Sequence, residues 1–183
     1  MSKIFVGIDT ETTGLLEADS ADIKLQPHMT ELYLVKFNSK FEPLEEFDSL
    51  FKIPIPVPEL ITKITKIDDE MLKTKNPFSE SLDEVADFMT GVDAVVGHNI
   101  NFDMNILKNE LRRMREEFHF PWPRERICTV ELSFPIEKKR LKLGRLYNLA
   151  TGKEHEGAHR SKADTRATVK CFKWLCEKGF YEL

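Results

Sequence analysis

IFVGIDTETTGL, residues 4–15, decides how the chain is to be read. Residues 4–8 form a short, nearly continuous apolar run with β-branched members, the pattern of a central strand covered on both faces. Two acids follow at once. Strand side chains alternate between faces, so Asp9 and Glu11 emerge on the same side, about 7 Å apart along the backbone. Thr12, Thr13 and Gly14 then read as a tight turn whose backbone N–H groups can face a ligand, with Gly14 able to take a positive φ. A solvated strand end would show the same two acids, so the pair needs support from elsewhere in the chain.

Outward from this stretch, residues 16–30 are polar and irregular and read as a long loop. Strands are expected at residues 31–37 and 47–52, and the short NSKFEPLEE between them makes the first three strands an antiparallel meander. Pro54, Pro56 and Pro58 break regular structure in IPIPVPELITKI. From Ser79 the period changes: Leu82, Val85, Ala86 and Met89 follow helical spacing, with Ser79 or Ser81 as the cap. A fourth strand at residues 94–97 leads into a helix carrying Ile106, Leu107, Leu111 and Met114 on one face. A fifth strand near 127–130, a helix near 143–150 and a last helix from about 162 to 178 complete the order. The fold class is α/β: a mixed five-stranded sheet, antiparallel meander then parallel strands, with helices on both faces.

Two further acids break apolar stripes in the same inward direction. Asp103, in GHNINFD (residues 97–103), opens the stripe continued by Leu107, Leu111 and Met114. A first-turn acid favoured by the helix dipole would look the same. Asp164 shares a stripe with Ala167, Thr168, Cys171 and Leu175. His159 lies five residues before Asp164, about 140° away around an ideal helix, so it is expected on the preceding loop or first turn, over the cleft. An isolated carboxylate is costly to bury, and four gathered together repel. Two Mg²⁺ or Mn²⁺ ions, cations with hard-oxygen preference, balance four such charges. A pair about 3.5–4 Å apart can activate a water and stabilise both oxygens of a phosphodiester displacement.

The bulk numbers set limits. The 183 residues are 41% hydrophobic, of single-domain size with material for a sizeable core. The 27 Lys and Arg against 31 Asp and Glu give a net charge of −4, so a polyanionic partner needs local basic patches or bound cations. Candidate patches are Arg112, Arg113 and Arg115, the run KKRLK at residues 138–142, and Arg160, Lys162 and Arg166, although such runs are more often simply solvated. Cys128, Cys171 and Cys176 form no CxxC pair, which argues against a disulfide framework and a structural zinc site. With no run of 18 apolar residues and a start that runs directly into a strand, neither a membrane span nor a signal peptide is expected. The expected location is the cytoplasm.

DTETTGL, GHNINFD and HRSKAD stand in the order and character of three exonuclease motifs. On them the chain resembles the DEDDh-class 3′-to-5′ exonucleases, the proofreading-subunit-like branch of the ribonuclease H-like superfamily. The resemblance covers nearly the whole chain and implies a single exonuclease domain over residues 1–183. It implies that Asp9, Glu11, Asp103 and Asp164 bind two Mg²⁺ or Mn²⁺ ions, with Asp9 bridging them, and that His159 is the general base. The tyrosine of the related class would sit at position 160, which is Arg here. Thr12, Thr13 and Leu15 are implied to meet the terminal nucleotide. His98, Asn99 and Phe102 are weaker candidates for substrate contact, Phe102 being equally suited to the core. Arg160 and Lys162 flank the base and are candidates for phosphate contact. His155 and Glu156 suggest a further metal site or a mobile active-site loop.

The implied activity is release of nucleoside 5′-monophosphates from the single-stranded or frayed 3′ end of DNA, with a replication or repair partner possible. An exoribonuclease of the same class would use the same residues. A silent binding module and an endonuclease are the remaining alternatives. Few residues follow Leu175, which argues against the long polymerase-docking tail of some proofreading subunits. Oligomeric state, pathway and cellular metal are not legible in the sequence.

Overall fold

The computed structural model describes residues 3–18 and 22–183. Strands β1 (Ile4–Thr12), β2 (Met29–Asn38) and β3 (Pro43–Leu50) are followed by β4 (Ala94–Gly97) and β5 (Glu125–Cys128). Among the described residues they form one five-stranded sheet in the order β3-β2-β1-β4-β5. β1 pairs antiparallel with β2 and parallel with β4, and β5 continues parallel to β4. The helices are α1 (Glu59–Thr65), α2 (Asp69–Leu72), α3 (Leu82–Met89), α4 (Asn101–Met114), α5 (Thr129–Glu137), α6 (Leu143–Thr151) and α7 (Ser161–Glu177). None is long and apolar enough to cross a membrane among the described residues.

Several boundaries differ from the sequence expectation for local reasons. β1 runs on through Thr12, because Asp9, Thr10 and Glu11 still pair with Tyr33, Leu32 and Glu31 of β2. Gly14 does not take a positive φ. The fifth strand ends at Cys128, and the residues expected to finish it open α5 instead, a helix that contains Pro135. A proline lacks the backbone donor and masks helical periodicity. α1 starts directly after Pro58, a helix hidden behind the prolines that define its start. Ser81 occupies the N-cap of α3 without a side-chain cap bond. Of the loop expected over residues 16–30, residues 19–21 lie outside the described residues; the remainder carries a 3₁₀ turn at Ile23–Leu25 and the start of β2.

The two faces of β1 are packed by different helices. Val6 and Ile8 join a core with Val85 and Met89 of α3 and Met104, Leu107 and Leu111 of α4. On the other face, Phe5 meets Phe172 of α7, ring centroids 5.9 Å apart. Gly7 lies beneath the same helix, since a Cβ there would stand 2.8 Å from Val169 Cγ2 and 2.9 Å from Thr165 Cγ2. The strand ascends from 5 to 11 while the helix above it descends from 172 to 164. Close approach at Gly7 therefore lowers the first turn of α7 onto the end of β1, where the paired acids emerge.

Candidate active site

Four carboxylates from three elements meet at that end. Oxygens of Asp9, Glu11 and Asp164 all lie within 4.8 Å of one another. Asp103 arrives from the α4 side. β4 pairs with β1 only as far as Gly7↔Val96, so the next stretch of β1 has an open edge. Asp103 Oδ1 fills it, accepting from the Thr10 N–H at 2.9 Å and the Thr10 hydroxyl at 2.8 Å. Asp103 is 3% exposed and Asp164 9%, as the inward stripes required.

This crowding is visible in the proton affinities. Burial, then repulsion from Asp103, Asp164, Glu11 and Glu31, holds the Asp9 carboxyl well above the ordinary carboxylate range. Burial, then Asp164, Glu31 and Asp103, lifts Glu11 from 4.5 to about 8, with Arg160 pulling the other way. Asp103 rises to about 7, mainly through burial, and its bonds from Thr10 oppose the rise. A set of hard-oxygen donors that repel one another this strongly is a fit receptor for divalent cations.

The histidines divide their positions. The His159 backbone sits at φ 67°, in the left-handed region, and its N–H donates to Asp164 Oδ2 at 2.9 Å. Its exposed side chain lines a cleft of about 570 Å³ together with His155, Asp164 and residues 139–145. The His155 side chain, by contrast, is only 7% exposed: its Nε2 contacts Asp164 Oδ1 and its ring lies 5.4 Å from that of Tyr147. The sequence suggests a further metal site or a mobile loop for His155; the structure shows its ring against an acid of the main cluster.

Other sequence candidates are placed as follows. Leu15 is 81% exposed beside the first motif. The Thr13 N–H and hydroxyl are tied to the His28 backbone, and Thr12 Oγ1 donates to the Gly14 carbonyl, so both threonines shape the turn. Phe102 is half-buried against the core. His98 contacts Thr129 Oγ1 and the Leu141 carbonyl, and Asn99 Oδ1 accepts from Arg140. Lys162 pairs with Asp48 at 2.9 Å, and Arg113 donates to Glu110 and to the Ile23, Gln26 and Pro27 carbonyls.

Arg160 is engaged by an acid the sequence reading passed over. Glu31 stands opposite Glu11 in the β1–β2 register and is 2% exposed. It accepts from Arg160 Nε at 3.1 and 3.2 Å and from the Ser161 N–H at 2.9 Å. This clamp joins β2 to the start of α7, one turn before Asp164. The available signal was an acid near the start of a largely apolar strand whose other charge is Lys36.

The RNase T family model, described as exonuclease, matches residues 6–172. The chain belongs to this exonuclease family. It is 30% identical to the DNA polymerase III subunit epsilon of Treponema pallidum over 174 residues, covering 92% of this chain and 74% of that protein. It is also 30% identical to the PolC-type DNA polymerase III of Caldanaerobacter subterraneus subsp. tengcongensis, across 95% of this chain but 12% of that much longer polymerase. Solved structures share the fold. The nuclease domain of 3′hExo, a DEDDh family member bound to rAMP, superposes with TM-score 0.78 at 15% identity, covering 97% of this chain and 94% of the other. E. coli ExoI in complex with single-stranded DNA gives 0.77 at 18% identity, covering 97% of this chain and 41% of the other. The exonuclease family is metal-dependent, and the sheet and helices described above have the fold of that DEDDh family member and of ExoI.

Proposed function

We propose that the protein is a metal-dependent 3′-to-5′ exonuclease that hydrolyses 3′-terminal phosphodiesters of DNA, from single-stranded or frayed ends, to nucleoside 5′-monophosphates. The observation that carries this reading is the gathering of Asp9 and Glu11 of β1, Asp103 of α4 and Asp164 of α7 at the end of β1. These four acids would hold two divalent cations, Mg²⁺ or Mn²⁺. When bound, the cations offset the carboxylate charge and supply Lewis-acid stabilisation of the phosphoryl group. Asp164, with both oxygens engaged by His155 and His159, is the acid whose surroundings must rearrange most to accept a cation.

His159 lines the cleft beside Asp164 and takes the proton of the attacking water, a task suited to an imidazole near neutral pH. The water oxygen joins phosphorus, the bond to the 3′-oxygen of the penultimate nucleotide breaks, and that oxygen leaves with a proton from solvent. We assign to Leu15 an apolar contact with the terminal nucleotide, and to Phe102 and the Thr12–Thr13 turn the shaping of its pocket. The relatives named as DNA polymerase III subunits and the neighbour holding single-stranded DNA support DNA as substrate and a replication partner. The neighbour holding rAMP keeps an exoribonuclease as the second reading.

Digestion of matched 5′-labelled DNA and RNA single strands, with Mg²⁺ and with chelator, tests the proposal. Stepwise shortening of DNA from its 3′ end that stops with chelator is expected. Faster loss of RNA would transfer the substrate assignment to the second reading, and equal digestion with chelator would end the cation-dependent account.

A further inference from the structure

The second motif grips a basic turn forty residues away. His98 sits where β4 gives way to α4, with Nε2 3.1 Å from the Leu141 carbonyl and Nδ1 2.9 Å from Thr129 Oγ1. A carbonyl can only accept, so Nε2 carries the hydrogen, and in the neutral ring Nδ1 is the nearer of two acceptors for the threonine hydroxyl, the other being the Gly97 carbonyl at 3.3 Å. Burial pushes the ring's pKa down to about 4, which preserves this neutral arrangement. The next residue, Asn99, has φ 70° and accepts from Arg140 Nη2 at 2.9 Å. Two consecutive residues of one segment thus hold two consecutive residues of another.

The segment held is KKRLK, residues 138–142. Leu141 is 3% exposed and anchors in a core with Leu146, Cys171 and Leu175, leaving Arg140 and Lys142 directed to solvent on either side. Residues 139–145 form one wall of the cleft whose other wall bears His155, His159 and Asp164. Lys138 and Lys142 make no ion pair among the described residues, whereas Lys139 and Arg145 share Glu137. In a chain of net charge −4, this is a concentrated cationic surface opening onto the acidic site.

We propose that residues 139–142 are a preset phosphate-holding wall for the nucleic-acid strand entering the cleft, and that His98 is the positioning residue that fixes it. The proposal rests on the exonuclease reading, and phosphates upstream of the cleaved bond are the ligand groups it assigns. A turn held from below keeps its cations in place before the strand arrives, which lowers the ordering cost of binding.

The test combines strand binding and turnover. Anisotropy of a fluorescein-labelled oligothymidine in EDTA reads binding with no hydrolysis. Lys139→Ser with Lys142→Ser is expected to weaken binding about tenfold and to reduce the slope of log K against log salt by about 1.4, two contacts at about 0.7 each. His98→Ala is expected to give a comparable loss, falling on KM more than on kcat, and His98→Gln, which keeps one donor and one acceptor, to restore most of it. Combining His98→Ala with the lysine pair should add little to either alone. Additive losses, or a His98→Ala defect in kcat with unchanged binding, would overturn the positioning role. An unchanged salt slope in the lysine variant would overturn the wall. The lysines are exposed, and Asn99→Ala offers a second exposed test of the tether should His98→Ala fail to fold. A parent that binds strands but cuts none would refute the exonuclease reading instead.

Discussion

Replacing Glu11 by Gln removes a charge that the metal-free fold can hold only at a cost. Burial and three neighbouring acids raise its pKa from 4.5 to about 8, so the folded state binds this proton more tightly than the unfolded chain. The stability contribution is fully present below pH 4.5, declines as pH rises, and is lost once pH passes 8. At about 1.4 kcal/mol per pKa unit the ceiling is between 4 and 5 kcal/mol, and screening at a partly solvated side chain brings the expectation to about 3 kcal/mol. For a chain of this length that is a rise of about 6–12 °C in Tm. Thermal unfolding in EDTA should show Glu11→Gln more stable than the parent by this amount at pH 8.5 and nearly equal to it at pH 4.5. Mg²⁺ should then stabilise the parent much more than the variant, because stabilisation by a ligand grows with the logarithm of its concentration over Kd and loss of a carboxylate donor raises that Kd. A variant less stable than the parent at pH 8.5, or an offset independent of pH, would refute the reasoning.

Thr10→Val deletes the 2.8 Å bond to Asp103; a loss of about 1–3 kcal/mol in urea unfolding is expected, with weaker Mn²⁺ binding by calorimetry. Glu31→Ala leaves the Arg160 guanidinium and Ser161 N–H without their acceptor, and should cost about 3 kcal/mol, whereas Glu31→Gln should retain most of the stability; equal losses would show that the clamp does not act through hydrogen bonding. Gly7→Ala introduces a Cβ 2.8 Å from Val169 Cγ2. Displacement of α7 should cost about 1–3 kcal/mol and weaken Mn²⁺ binding at a site that the substitution does not touch.

What the sequence showed depended on whether a local period carried the information. The two-residue period of a strand placed Asp9 and Glu11 on one face, and the interrupted stripes of α4 and α7 turned Asp103 and Asp164 inward. In the structure Asp9, Glu11 and Asp164 cluster, and Asp103 is bonded to Thr10, the residue between the first two. The meander and the parallel strands followed from hairpin length and helix alternation, and the observed order β3-β2-β1-β4-β5 agrees with them. α1 and α5 were masked by prolines that here stand before or within a helix. The Glu31–Arg160 clamp joins residues 129 apart, and the His98–Leu141 contact spans 43. No periodicity encodes such pairs. They arise only once β2 lies beside β1 and the α5–α6 turn folds back over the end of β4. Arg160 and Lys162 show the same limit, because neighbours along the chain pointed to phosphate while neighbours in space are Glu31 and Asp48.

Diffraction from crystals soaked in Mn²⁺, with anomalous difference density used to locate the ions, is the most direct measurement. The account predicts density among the carboxylates of Asp9, Glu11, Asp103 and Asp164, and its disappearance in crystals of Asp9→Asn. Ions bound elsewhere, with these four acids free of density at saturating Mn²⁺, would contradict it.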